Sequence, residues 1–229
     1  MTLIGDFNKK EALALIKKYF GEHGASENSI PGMYTEEPEQ EGPRRTVVSR
    51  VGQTGVVGVG HKSPEGLHID TYAFQLLGKI LSEGKTSRFY KSIIDKGLAT
   101  SLFMYDFPFK DNGMFITYAF LTPDTDHQKV EDIILLEYKK ITEKGISEEE
   151  LNRAKAQTRA SVAFSRDGSY SVASALNEAI AIGDWMFYTT YLDCIKKVTT
   201  KDLMCVAKKY LVEDKRTTGW FVPKKQEKL

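Results

Sequence analysis

The residues first to be tested for chemistry are the four histidines, His23, His61, His68 and His127. His61, Glu65 and His68 follow the spacing His-x3-Glu-x2-His, and two imidazole nitrogens with a carboxylate are a donor set that suits zinc. Pro64 and Gly66 stand inside the segment, so the three cannot share one helical face. His61 ends a strand and His68 precedes a helix cap. The trio therefore reads as an exposed polar loop, and no metal ligand is assigned. Tyr19-Phe20-Gly21-Glu22-His23 has the outline of the zinc-binding pattern H-x-x-E-H, but tyrosine fills the first ligand position and Gly21 breaks the helix that would align the ligands. No G-x-S-x-G elbow, Walker A loop or G-x-G-x-x-G is present. Gly55 to Gly60 is glycine-rich but reads as a strand, where glycine marks the close approach of another backbone, at a sheet edge or a packed partner. Cys194 and Cys205 each fall on a helical apolar face and read as core residues. Glu148-Glu149-Glu150 reads as the negative first turn of a helix, and Lys224-Lys225 and Lys228 as a solvated tail over 224–229. No catalytic constellation emerges.

Composition narrows the class. The 229 residues are 41% hydrophobic and 28% charged, enough for a core and inconsistent with wholesale disorder. Lys+Arg (32) and Asp+Glu (31) nearly cancel, which removes the footprint of a dedicated nucleic-acid binder. No run approaches the roughly 18 apolar residues of a membrane span. Two cysteines are too few for a disulfide scaffold or a Cys-only zinc site. Met1 to Asp6 lacks the basic and apolar regions of a secretory signal. Low cysteine content and near-neutral charge fit cytoplasm and periplasm alike.

The elements that would hold these residues follow from period and punctuation. Thr2-Leu3-Ile4 reads as a strand entering a helix through Ala12, Leu13, Ile16, Tyr19 and Phe20, with Asn8 and Glu11 at capping-box spacing. Residues 21–43 form a long acidic connection. Arg44 to Arg50 and Val56 to His61 read as strands joined by a turn at Gly52 to Gly55. Asp70 is placed to cap a helix striped by Tyr72, Ala73, Leu76, Leu77, Ile80 and Leu81. A short helix over Ser87 to Asp95 follows. Thr100 to Phe107 and Met114 to Leu121 read as a hairpin. Helices are predicted over Asp124 to Glu143, from the capping box Ser147/Glu150, from Val172 onward, and from Thr199 or Thr200; Thr217 to Val222 closes the chain as a strand. Paired strands between amphipathic helices predict a single α+β domain over 1–229, a largely antiparallel sheet with its helices mainly on one face.

Several segments, none specific alone, together resemble a known family. They are Ile4-Gly5-Asp6-Phe7 with Lys18-Tyr19-Phe20-Gly21; Asp70 with Leu76-Leu77 and Ile80-Leu81; Thr86-Ser87-Arg88-Phe89-Tyr90 before Lys96-Gly97-Leu98-Ala99-Thr100; Ile146-Ser147 with Glu150-Leu151 and Ala154-Lys155; and Val198-Thr199-Thr200-Lys201-Asp202-Leu203 with Ala207 and Tyr210-Leu211. In this order they resemble the non-catalytic, C-terminal-type domain of the pitrilysin/insulinase zinc metallopeptidases, which include the mitochondrial processing peptidases. The resemblance implies a metallohydrolase-like α+β domain of the mitochondrial processing peptidase type, excised from a longer multi-domain protein, with Met1 an added start. It implies no cofactor in this chain, with zinc held by the catalytic domain of a parent or partner. The implied partners are that catalytic domain and peptide substrate, with a homodimer as an open alternative. The family's auxiliary substrate-binding Arg and Tyr fall on Ile93 and Thr100, which lack the donors and the reach for that role. The implied function is that of a non-catalytic domain that encloses or binds peptide and braces the catalytic half. The alternative is a structural or assembly subunit of the same fold without proteolysis.

Overall fold

Val57, Val59, His61 and Ser63 alternate with Val56, Gly58, Gly60 and Lys62 along β2 (Val56–Glu65), and only the first set is buried. That period of two gives the sheet one covered and one open side. The computed structural model describes residues 1–24 and 38–224. Its sheet has the order β1-β5-β2-β4-β3, with β1 Arg44–Val51, β3 Ala99–Phe107, β4 Asn112–Leu121 and β5 Arg216–Lys224. β1 pairs with β5 in parallel, and the other three pairings are antiparallel. The last strand of the chain thus sits between the first two.

The helices are α1 Lys9–Phe20, α2 Asp70–Ser82, α3 His127–Lys144, α4 Glu148–Ser165, α5 Ser169–Ile182, α6 Met186–Lys197 and α7 Thr200–Tyr210. Tyr72, Leu76, Leu77, Ile80 and Leu81 of α2 pack with Val130, Ile134 and Ile141 of α3, with Leu203 and Val206 of α7, and with the inward residues of β2 and β4. Each fully buried side chain of this size contributes about 1.5–3 kcal/mol. This is the predicted α+β fold, with α2, α3 and α7 against one sheet face.

Several expectations are corrected. Thr2-Leu3-Ile4 is not a strand, and the chain enters α1 from an irregular lead. Asp70 is the first residue of α2, not its cap; Ile69 takes that place and makes no side-chain cap bond. Asp126 caps α3, accepting from the Gln128 amide at 3.0 Å, so that helix begins later than predicted. α6 was not predicted. Ser87 to Asp95 winds as a π-type turn at Tyr90–Ile94. Cys194 is half-buried, but Cys205 is exposed and not a core residue. The Ser147/Glu150 capping box is present, and Thr199 with Asp202 forms another. Residues 25–37 of the acidic connection and 225–229 of the tail lie outside the described residues.

Two ion pairs anchor the periphery. Glu131 of α3 is only 1% exposed, and its carboxylate accepts from Arg45 of β1 at 2.5 Å and from the Trp220 indole of β5 at 2.8 Å. The Arg45 guanidinium also lies 4.6 Å from the Trp220 ring centroid, within cation–π range. On the other flank, Arg88 holds Glu150 through Nε to Oε1 at 2.7 Å and a terminal nitrogen to Oε2 at 2.9 Å. Desolvation raises the Glu150 pKa, but hydrogen bonds from Arg88 and the Ser147 amide, with the Arg88 charge, outweigh it and hold the group down to about 2.

Glu131→Ala leaves the indole and guanidinium without their acceptor, and is expected to lower unfolding stability by about 2–3 kcal/mol in chemical denaturation; an unchanged midpoint would contradict this role. Because the folded pKa of Glu150 lies below its unfolded value, its contribution is complete above about pH 4.5 and is lost as pH falls toward about 2. Acid titration of stability should therefore be flatter in Glu150→Gln than in the parent chain over that window.

Candidate functional site

The side of the sheet that the helices leave bare is built by alternation on five strands. On β3 the pleat turns Phe103, Tyr105 and Phe107 to this side, where they are 46%, 47% and 37% exposed. Their rings run on as a ladder: Phe103 to Tyr105 centroids at 6.3 Å, Tyr105 to Phe107 at 5.8 Å, and Phe107 to Phe109 of the hairpin at 6.2 Å. Tyr118 and Phe120 of β4 join it edge-on. Beside the ladder, Ile116 and Tyr118 of β4 face Thr46 and Val48 of β1 and Phe221 of β5 across a hollow of about 1050 Å³. Arg44, Lys62 and Lys215 bring positive charge to its lining, and Glu65 and Asp111 bring negative charge. Among the described residues β1 and β3 are the two edge strands, each with one backbone edge that no other described strand pairs. An open, half-apolar face with strand edges beside it can hold an extended chain by main-chain hydrogen bonds and side-chain contact.

The covered side holds a different polar group. His61 is 4% exposed and sits edge-on to the buried Tyr138 ring at 5.6 Å. Burial first, then the Arg216 charge, lowers its pKa to about 4, so it is neutral at ordinary pH. Among the described residues, His61 Nδ1, Ser63 Oγ and Asp106 Oδ2 are buried without a hydrogen-bonding partner. Burial pushes the Asp106 carboxyl up to about 6, with nearby Ser63 partly opposing the shift.

The structure separates the His61, Glu65, His68 trio. His61 points under the sheet, a correction to the exposed-loop reading, because it shares the inward parity of Val57 and Val59. Glu65 is exposed at the strand end. His68 uses Nδ1 to accept the Asp70 amide at 3.1 Å. These residues do not fit a zinc ion, and among the described residues no group of three His, Cys, Asp or Glu converges to hold a metal. At the other outline, α1 ends at Phe20 with Gly21 as its cap, leaving His23 beyond the helix. Ile93 is fully buried in the core, while Thr100 is exposed at a bulge in β3, where its hydroxyl donates to the Phe120 carbonyl at 3.2 Å.

A family model described as the peptidase M16 inactive domain matches residues 1–158, more than half of the chain. The chain belongs to the peptidase M16 family, as an inactive domain. Zinc protease PqqE of Helicobacter pylori is 28% identical over 226 residues, covering 97% of this chain and 51% of that protein. The crystal structure of a protease from Helicobacter pylori superposes with a TM-score of 0.90 at 28% identity, covering 96% of this chain and 54% of that one. An inactive peptidase domain from Bordetella parapertussis superposes with a TM-score of 0.70 at 26% identity, covering 80% and 97% of the respective chains. The M16 chain described here spans about half the length of the curated relatives it matches. Among the described residues, no helix is long and apolar enough to cross a membrane.

The two histidines of the trio should behave differently. His61→Ala empties a buried site and is expected to cost about 2 kcal/mol of stability. His68→Ala alters a half-exposed helix start and should cost less than about 1 kcal/mol. Equal and small losses in thermal and urea unfolding would contradict the inward placement of His61.

Proposed function

We propose that this chain is a non-catalytic M16 domain that presents its helix-free sheet face as a wall for extended peptide and braces a zinc-bearing catalytic domain, which performs the proteolysis. The observation that carries the reading is the open face, with its exposed aromatic ladder and wide hollow, beside described histidines and carboxylates that do not converge. Exposed apolar surface of this extent costs solubility and is retained where something covers it. The relatives named as zinc proteases, about twice as long, supply the setting in which a catalytic domain accompanies this one. Ile93 and Thr100 contribute no substrate-binding arginine or tyrosine, so peptide contact falls to the sheet rather than to those positions.

The test is to incubate the purified chain with a fluorescein-labelled unstructured peptide, with and without added zinc. Saturable binding by anisotropy with no cleavage is expected. Zinc-dependent turnover that survives repurification would overturn the non-catalytic assignment, and absence of binding would favour the structural-subunit alternative.

A further inference from the structure

Asp106 interrupts an apolar row. Leu102, Met104 and Asp106 share the inward parity of β3, and the first two pack against the core. Asp106 stands opposite Phe115 of β4, one residue from the end of its strand. Its Oδ2 is buried without a hydrogen-bonding partner, and so is Ser63 Oγ of β2. The two residues lie on either side of β4, where Ser63 is opposite Gly113. Gly113 keeps the way between them open: a Cβ there would stand 2.7 Å from Ser63 Oγ and would collide with the Phe107 carbonyl. Ser63 is near enough to act on the Asp106 carboxyl. A proton on that carboxyl removes a charge that burial disfavours and supplies an O–H that the Ser63 hydroxyl can accept.

The other groups that face this carboxyl do not neutralise it. Tyr191 of α6 is close enough to feel the Asp106 charge, but its hydroxyl donates to Gln75 Oε1 of α2 at 2.6 Å. Burial first, then the Asp106 charge, raises the Tyr191 pKa and keeps the phenol protonated. His61, two residues before Ser63 and on the same side of β2, is neutral above about pH 4. The causes of the Asp106 shift are burial and then Ser63, and no cation is among them. Ionisation above about pH 6 therefore leaves a charge under the end of β3 with no paired cation among the described residues. Relief is local. No described strand pairs the outer edge of β3. Water reaches the carboxylate once the Asp106–Phe115 and Phe107–Met114 pairs part and the Gly66 amide lets go of the Phe109 carbonyl, now at 2.8 Å. Phe107 and Phe109, the last two rings of the ladder, move with that segment.

We propose that Asp106 is a proton-operated latch for the aromatic ladder: protonated, it holds the end of β3 and keeps Phe107 and Phe109 in line, and ionised, it frees that end, so that the open face takes peptide more tightly in mildly acidic than in mildly alkaline solution. The inference rests on the reading of this face as a peptide wall and adds its regulation. The folded pKa lies above the unfolded value of 3.8, so the latch is complete below that pH and is lost as pH rises through about 6.

The experiment follows an unstructured peptide, labelled with a pH-insensitive rhodamine, by anisotropy at about pH 5 and about pH 7.5. Amide hydrogen exchange of the free chain, corrected for its intrinsic pH dependence, is read at Asp106, Phe107 and Met114 under the same conditions. In the parent chain, affinity and protection should each fall by about fivefold or more at the higher pH. Asp106→Asn removes the charge and should make both independent of pH. Ser63→Ala removes the group that opposes the shift and should move the midpoint of both upward, so a folding failure of one variant leaves the other decisive. If the parent binds peptide but either quantity is equal at the two pH values, or if the dependence persists in Asp106→Asn, the latch is wrong and the peptide wall stands. If protection changes as expected but peptide binds at neither pH, the wall falls, and the latch remains as a property of β3 alone.

Discussion

The buried carboxylate of Glu131 is the constraint on which the sheet's closure depends. Among the described residues β1 has one neighbour, β5, and every residue of β1 is exposed, so it buries no residue in the core. β5, the last of the described elements in chain order, lies between β1 and β2. From α3, Glu131 collects Arg45 of β1 and the Trp220 indole of β5 at a single point. A buried charge is tolerable only while it is paired and hydrogen-bonded, so the arrangement penalises any state in which β5 is absent or out of register. His127 adds a second clamp from α3, with its Nε2 2.9 Å from the Phe221 carbonyl.

That clamp pulls from the helical side only. Among the described residues, α2, α3 and α7 cover the inward side of the sheet, and no helix residue lines the opposite face. There the β3 aromatics lie in line, and Gly58, Gly60 and Gly219 floor the hollow. Each of these features is unfavourable or neutral for the isolated fold: glycines weaken strands, and exposed rings give back part of the hydrophobic gain. Their coincidence on one face is what the proposed peptide contact rests on. The polar atoms of His61, Ser63 and Asp106 lie on the covered side, away from that face.

Much of the fold is legible in the sequence because local signals agree with it. The strand alternation of β2, the Ser147/Glu150 box, the Thr199 cap and the α2 stripe match the structure. α6 was missed although Phe187, Tyr191, Cys194 and Ile195 have helical spacing, because threonines and aromatics inside it weaken its propensity. The inward turn of His61 was available from its parity with Val57 and Val59, but the adjacent Pro64 and Gly66 suggested a loop. Cys205 sits two residues from Leu203, off the Leu203, Val206, Ala207 stripe, which predicts its exposure. Glu131 and the open face were not legible. A carboxylate beside Val130 on an amphipathic helix looks solvated until β1 and β5 are placed. The glycine floor exists only once β5 is seated beside β2, a long-range pairing that no local pattern encodes.

We propose that peptide lies on the face of the sheet opposite α2, α3 and α7. Amide chemical-shift mapping of the isotopically labelled chain, titrated with an unstructured peptide, tests it most directly. The shifts should concentrate on outward positions of β2, β3 and β4, including Gly58, Gly60, Tyr105 and Tyr118, while α2, α3 and α7 stay unmoved. Shifts confined to the helical side, or none at saturating peptide, would contradict it.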